Sequence, residues 1–351
     1  MARRVFVHIG APKTGSTYVQ NVLWSNRKAL KGAGLLLPGS PSAQDQAMTD
    51  LRQVSWRDAD ATWTWDRLAA EAAAWSGDVV ISNEALGGAT DAQAARAVES
   101  LRPAEVHIVV AGRDLWRTFP SMWQQGIRAR NVGSFESFLR SVEQGKFDTF
   151  WELHTANRML RRWGDLVPAT QRHLVTVPPP GTPHETLWLR FAGILGIPEG
   201  LCELTAPAAN PSLGAAEIEV LRRVNAALGD RYPHRTPYQR VVQRHLVDAV
   251  LKQAPNKLRF GVGLDRADWV AEQAEQQIKE LADYPCEIAG DLDELRPAAM
   301  AATFSPDDLD EKQVLDAAIE TIIGMLAHAD SRTEPPQPTR TLSRLKRRLL
   351  R

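Results

Sequence analysis

The sequence predicts an α/β protein with three layers, αβα, built on a central parallel sheet, plus a mainly helical C-terminal part. Continuous apolar runs at residues 5–9, 79–82, 105–112 and 173–177 read as strands buried on both faces. Between them lie stretches of helical period, so strands and helices alternate up to about residue 197. Beyond Pro198 the patterns are mostly helical. At 351 residues and 44% hydrophobic, the chain can build a sizeable core.

In order, the first strand runs into a glycine-bearing loop and then a helix over residues 17–31, with Tyr18, Val22, Leu23 and Leu30 on one side and Gly32 and Gly34 as stops. Residues 34–38 form a short apolar segment, strand or turn. A helix is expected around 43–54, and another over 62–75 with Trp65, Leu68, Ala72 and Trp75 inward. The second strand ends at Asn83 and Glu84. Residues 91–101 make an alanine-rich helix with Asp91 as its N-cap. The third strand ends at Arg113 and Asp114, and the helix that follows runs to about Arg128, with Pro120 near its start or kinking it. Helices over 134–143 and 149–163 lead to the fourth strand, closed by prolines 178–180 and Gly181. A helix over 183–195 ends at Gly196.

The expected organisation is a core over residues 1–197, a helical part over 198–330 completing the domain, and a Pro-rich linker and tail over 331–351. The helical part has candidates at 215–228, 237–251, 267–281 and 309–329, with a short edge strand at 285–288. The tail places Leu342, Leu345, Leu349 and Leu350 at helical spacing among basic residues with no acid. That pattern suits a helix lying on an anionic membrane, as it suits a solvated terminus.

Lys plus Arg and Asp plus Glu both number 42, so nothing argues for non-specific nucleic-acid binding. Cys202 and Cys286 have neither metal spacing nor a disulfide framework, which points to a reducing compartment. With the first strand starting near residue 5, no signal peptide is expected, and no uncharged run reaches membrane-spanning length. The expected location is cytoplasmic, with no metal.

The chemistry concentrates at strand ends, where ligands bind in open parallel sheets. The first loop, GAPKTGST over residues 10–17, places free backbone N–H groups and a helix N-terminus around one anion. It differs from the nucleoside-triphosphate loop G-x-x-x-x-G-K-[ST] in one respect: Ser16 holds the lysine position, and the lysine sits at Lys13. The second strand delivers Glu84, and the third delivers Arg113 with Ser121 eight residues on.

These motifs carry a resemblance. Residues 12–17, PKTGST, resemble the 5′-phosphosulfate loop of sulfotransferases that use 3′-phosphoadenosine-5′-phosphosulfate (PAPS). Residues 113–121, RDLWRTFPS, resemble that family's 3′-phosphate motif, and Glu84 sits where its glycan sulfotransferases place a glutamate base. The match covers about residues 3–197. It implies a P-loop NTPase-like fold of the bacterial carbohydrate-sulfotransferase kind. It also implies transfer of a sulfuryl group from PAPS to a hydroxyl of a glycan, glycolipid or small metabolite. Lys13 and Glu84 would be catalytic. Lys13, Thr14, Gly15, Ser16 and Thr17 would hold the 5′-phosphate, and Arg113 and Ser121 the 3′-phosphate.

The residues support this independently. Sulfuryl transfer leaves a phosphate, so a cation is needed at the bridging oxygen where charge develops. The second strand also carries no terminal Asp for Mg²⁺, which a triphosphate usually needs. A kinase-like phosphotransferase and a non-catalytic sulfonucleotide-binding protein are the alternatives. Trp123, Gln124, Arg128 and His154 are candidates for the acceptor pocket, whereas His8 and His107 read as core histidines. Most of the eleven tryptophans are expected in the core.

Overall fold

The computed structural model describes residues 1–58, 60–204, 212–255, 257–297 and 304–333, with only the backbone of 332 and 333. The basic tail and most of the Pro-rich linker lie outside them. The chain forms two compact units. The first comprises Met1–Gly126, Gly133–Asn210 and Phe260–Asp307, and the second Ile127–Val132, Pro211–Arg259 and Asp308–Arg351. Residues 260–307 therefore belong with the sheet.

The first unit holds six strands: β1 (Arg4–Gly10), β2 (Leu35–Leu36), β3 (Asp78–Ser82), β4 (Glu105–Gly112), β5 (Arg172–Thr176) and β6 (Glu287–Ala289). All are parallel, in the order β2-β3-β1-β4-β5-β6. Side chains alternate between two cores, as the strand period requires. Val5, Val7 and Ile9 of β1 face one core and Phe6 the other. Val79 and Ile81 of β3 likewise oppose Val80, and Ile108 and Val110 of β4 oppose Val109 and Ala111. Helix Ser16–Ser25 and helix Glu185–Leu195 cover the Phe6 face. Helices Pro41–Arg52, Trp65–Ala74 and Asp91–Ser100 cover the other. This is the expected three-layer arrangement. Residues 34–38 supply the edge strand β2, and the edge strand expected near 285–288 is β6.

Three helix boundaries differ from expectation. The helix expected over 17–31 breaks at Asn26, whose Nδ2 donates to Val22 O (2.9 Å) and Glu203 O (3.0 Å) while its Oδ1 accepts from Glu203 N (2.9 Å). Helix Asp91–Ser100 is capped by Thr90, not Asp91: the Thr90 hydroxyl accepts from Gln93 N, and the Gln93 side chain returns to Thr90 N. The helical run expected over 149–163 is interrupted at Thr155, and its last turn, Leu160–Gly164, widens to π geometry.

The second unit contains helix Ala215–Leu228, the short helix Arg235–Tyr238 running into the π-helical stretch Gln239–Asp248, and helix Glu311–Thr333. Asn225 ties it together: its Nδ2 donates to Ile127 O (2.8 Å), and its Oδ1 accepts from the Tyr238 hydroxyl (2.7 Å). Among the described residues, no helix is long and apolar enough to cross a membrane.

Candidate active site

The strand order puts β3, β1 and β4 side by side. Glu84, the Lys13 loop and Arg113, which are distant in sequence, thus emerge at the carboxyl ends of three neighbouring strands.

The loop after β1 is built on two glycines. Gly10 has φ +131°, and a Cβ there would lie 2.9 Å from Glu84 O, so only glycine lets the β1 and β3 ends approach this closely. Gly15 has φ +86°, and its added Cβ would meet Leu187 Cδ2 at 2.5 Å. Between them, Ala11 N donates to Ala111 O (3.0 Å) and the buried Thr14 hydroxyl donates to Ala11 O (2.6 Å). Lys13 itself adopts φ 67°. Helix Ser16–Ser25 then starts with no side-chain cap and no acid in its first turn. Ser16 is buried, whereas Gly15 and Thr17 face solvent.

Arg113 joins this loop to β4. Its Nη1 donates to Lys13 O (2.9 Å) and to Ser121 Oγ (3.4 Å). Asp114, its sequence neighbour, does not pair with it. The Asp114 carboxylate accepts from Arg117 N (2.9 Å) and from Arg117 Nε, capping helix Leu115–Arg128. Among the described residues Arg113 makes no ion pair, and its buried Nε has no hydrogen-bond partner. Burial, then the nearby Arg117 charge, pushes its pKa down to about 10. A part-buried cation of this kind is costly unless an anion is supplied. Ser121 Oγ donates to Arg117 O (2.9 Å), which turns its lone pairs toward Arg113.

Glu84 begins a short 3₁₀ turn after β3. Its Oε2 accepts from Gln20 Nε2 (2.9 Å), and Gln20 also reaches Ser82 O (3.3 Å). Ser82 Oγ lies 2.9 Å from His8 Nδ1. His8 is buried, and burial holds its pKa down near 4, so the imidazole is neutral. Sequence reading missed Gln20 and Ser82. The available signal was helical spacing: Gln20 is one turn beyond Ser16 and so stands on the loop side of its helix.

The acceptor candidates sit in different surroundings. Trp123 is 3% exposed, packs edge-on to Phe260 and donates its Nε1 to Gly133 O (3.0 Å); it belongs to the core. Arg128 lies in the second unit, where it donates to Gln243 Oε1 (3.3 Å). His154 stands edge-on to Phe150, and burial lowers its pKa to about 4. Gln124 is half-buried on the helix that carries Ser121. His107 is a core residue, its Nδ1 2.8 Å from His173 Nε2. Among the described residues, no three His, Cys, Asp or Glu side chains gather as a metal site.

No protein-family model, curated protein or solved structure matches this chain.

Proposed function

We propose that this chain is a sulfotransferase of P-loop-like architecture that moves the sulfuryl group of PAPS to a hydroxyl of a glycan, glycolipid or small metabolite. One observation carries the reading. The guanidinium of Arg113 is part-buried, makes no ion pair among the described residues and bonds to Lys13 O and Ser121 Oγ, with its buried Nε unused. It thereby links the phosphate loop of β1 to a second anion subsite on β4. PAPS carries two separated phosphates, which suits two subsites, and a nucleoside triphosphate lacks the 3′-phosphate that the second would take.

In this mechanism the acceptor oxygen bonds to sulfur as the bridging S–O bond to the 5′-phosphate breaks. Glu84, oriented by Gln20, takes the acceptor's proton. Lys13 neutralises the charge appearing on the leaving phosphate oxygen. Backbone N–H groups of residues 14–17, with the Ser16 and Thr17 hydroxyls, hold the 5′-phosphate; Arg113 and Ser121 hold the 3′-phosphate. The products are a sulfate ester and adenosine 3′,5′-bisphosphate. The left-handed Lys13 and the uncapped helix start favour this assignment over a solvated turn, because both leave N–H groups turned toward a ligand.

The test is a thermal-shift titration. Adenosine 3′,5′-bisphosphate should stabilise the protein more than ATP–Mg²⁺ does, and the reverse order would favour a kinase. Incubation with labelled PAPS and a glycan and lipid extract, followed by mass spectrometry, should then reveal a product carrying one added sulfate. Nucleotide binding with no such product would leave the non-catalytic alternative.

A further inference from the structure

Two arginines grip the turn that carries Glu84. The turn spans Glu84–Gly88, directly after β3. Arg162 Nη1 donates to Gly87 O (2.9 Å). Arg52, the last residue of helix Pro41–Arg52, donates from its Nη1 to Ala85 O (2.8 Å). The two differ in their counter-ions. Arg162 pairs with Glu152 and, at 3.6 Å, with Asp91. Arg52 makes no ion pair among the described residues. Its Nε is buried without a hydrogen-bond partner, and its Nη2 donates to none of the described residues. Arg52 is half-buried, and burial lowers its pKa. Gly88 leaves room for it, since a Cβ there would lie 2.6 Å from Arg52 Nη2.

Holding a carbonyl takes a donor, and a neutral side chain would serve. Taking a guanidinium partly out of water costs free energy that an acid ordinarily offsets, as Glu152 does for Arg162. Arg113 shows the same lack as Arg52, and its place there is assigned to the 3′-phosphate. The two stand on opposite sides of the Lys13 loop. Arg113 follows β4 and Arg52 lies on the turn after β3, with β1 between those strands. The β3 side is where Glu84 would take the acceptor's proton. An acceptor that carried an anion would meet the Glu84 carboxylate as a like charge, and a cation on the same turn offsets that repulsion.

We propose that the acceptor is an anionic sugar, whose hydroxyl gives its proton to Glu84 while its own carboxylate or phosphate binds Arg52. This rests on the sulfotransferase reading and narrows it to a class of acceptor. Arg52 Nη2 supplies a charge-assisted hydrogen bond to the anion, while Nη1 keeps its bond to Ala85 O. A sugar acid or sugar phosphate carries its anion and its hydroxyls within a few bonds of one another. Ala85, which holds Arg52, likewise adjoins Glu84 in the chain. A neutral sugar would leave the Arg52 charge uncompensated, so Arg52 selects among acceptors by charge.

Transfer from labelled PAPS to the acidic fraction of a glycan and lipid extract tests this. Portions of the fraction are carboxyl-reduced, dephosphorylated or left intact. One of the two treatments should cut transfer at least about tenfold, and which one does so identifies the anion. Transfer unchanged by both would overturn this inference and leave the sulfotransferase reading standing. Transfer to no portion would overturn that reading, and this inference with it. Arg52→Met should bind adenosine 3′,5′-bisphosphate as the parent does. It should sulfate the intact portion no faster than the parent sulfates the neutralised one. An arginine that only held the turn would, when replaced, lower transfer to both portions by the same factor, and that result would also overturn the inference. The treated portions are compared on the parent protein, so a variant that failed to fold would not remove the test.

Discussion

Lys13 combines a catalytic assignment with a backbone that a lysine disfavours. A side-chain-bearing residue at φ 67° costs about 1 kcal/mol or more. Glycine meets no such penalty, so Lys13→Gly should keep its stability within about 1 kcal/mol of the parent. Sulfate transfer, followed with labelled PAPS, should nevertheless fall about 10²–10³-fold, the scale of one lost group stabilising developing charge. Parallel losses of stability and rate would instead mark a structural lysine. Glu84→Gln keeps the shape and the Gln20 contact but removes the base, and transfer should drop about 10²–10⁴-fold with nucleotide binding unchanged. Arg113 behaves in the opposite way. Removing a part-buried cation that makes no ion pair among the described residues costs little fold stability. Arg113→Met should therefore melt near the parent temperature yet lose about 1.5–3 kcal/mol of affinity for adenosine 3′,5′-bisphosphate, measured by calorimetry. Unchanged affinity would remove the 3′-phosphate assignment.

At the scale of elements, the loop and the caps decide the geometry. Gly15→Ala places a Cβ 2.5 Å from Leu187 Cδ2 at φ +86°. It should lower stability by about 1–3 kcal/mol and abolish the nucleotide-induced rise in melting temperature. The cap of helix Asp91–Ser100 offers a second check. Thr90→Ala should cost about 1 kcal/mol in chemical denaturation, against a few tenths for Asp91→Ala. The reverse ranking would restore Asp91 as the cap. These elements were unequally legible. The loop was readable because glycine, proline and lysine in that order leave few conformations. The Thr90 cap was missed because Thr-Asp offers two capping side chains in succession, and only backbone geometry chooses between them. The break at Asn26 was hidden because two of its three side-chain hydrogen bonds go to Glu203, far along the chain.

For the molecule as a whole, buried histidines make stability depend on pH. His8 is neutral in the fold, with a pKa near 4 against an ordinary 6.5, chiefly because it is buried. His107 is likewise held near 4 by burial and by His173, which burial also lowers. The unfolded chain binds the protons that the fold refuses, so this stability is complete above about pH 6.5 and is lost as pH falls toward 4. His8 alone corresponds to at most about 3 kcal/mol. Melting temperature should decline across that window, and His8→Asn should flatten the decline; a flat profile in the parent protein would refute the linkage. The sequence by itself determined the four central strands, the alternation that makes their sheet parallel, and the separate strand ends that carry Lys13, Glu84 and Arg113. Strand period and loop chemistry are local, and local sequence specifies them. Only the tertiary structure decided that β3, β1 and β4 are neighbours, that Gln20 holds Glu84, that Asp114 turns to Arg117 and away from Arg113, and that Trp123 is core. Those outcomes depend on which residues distant in sequence are brought within hydrogen-bonding and packing distance, and no single stretch of chain encodes that.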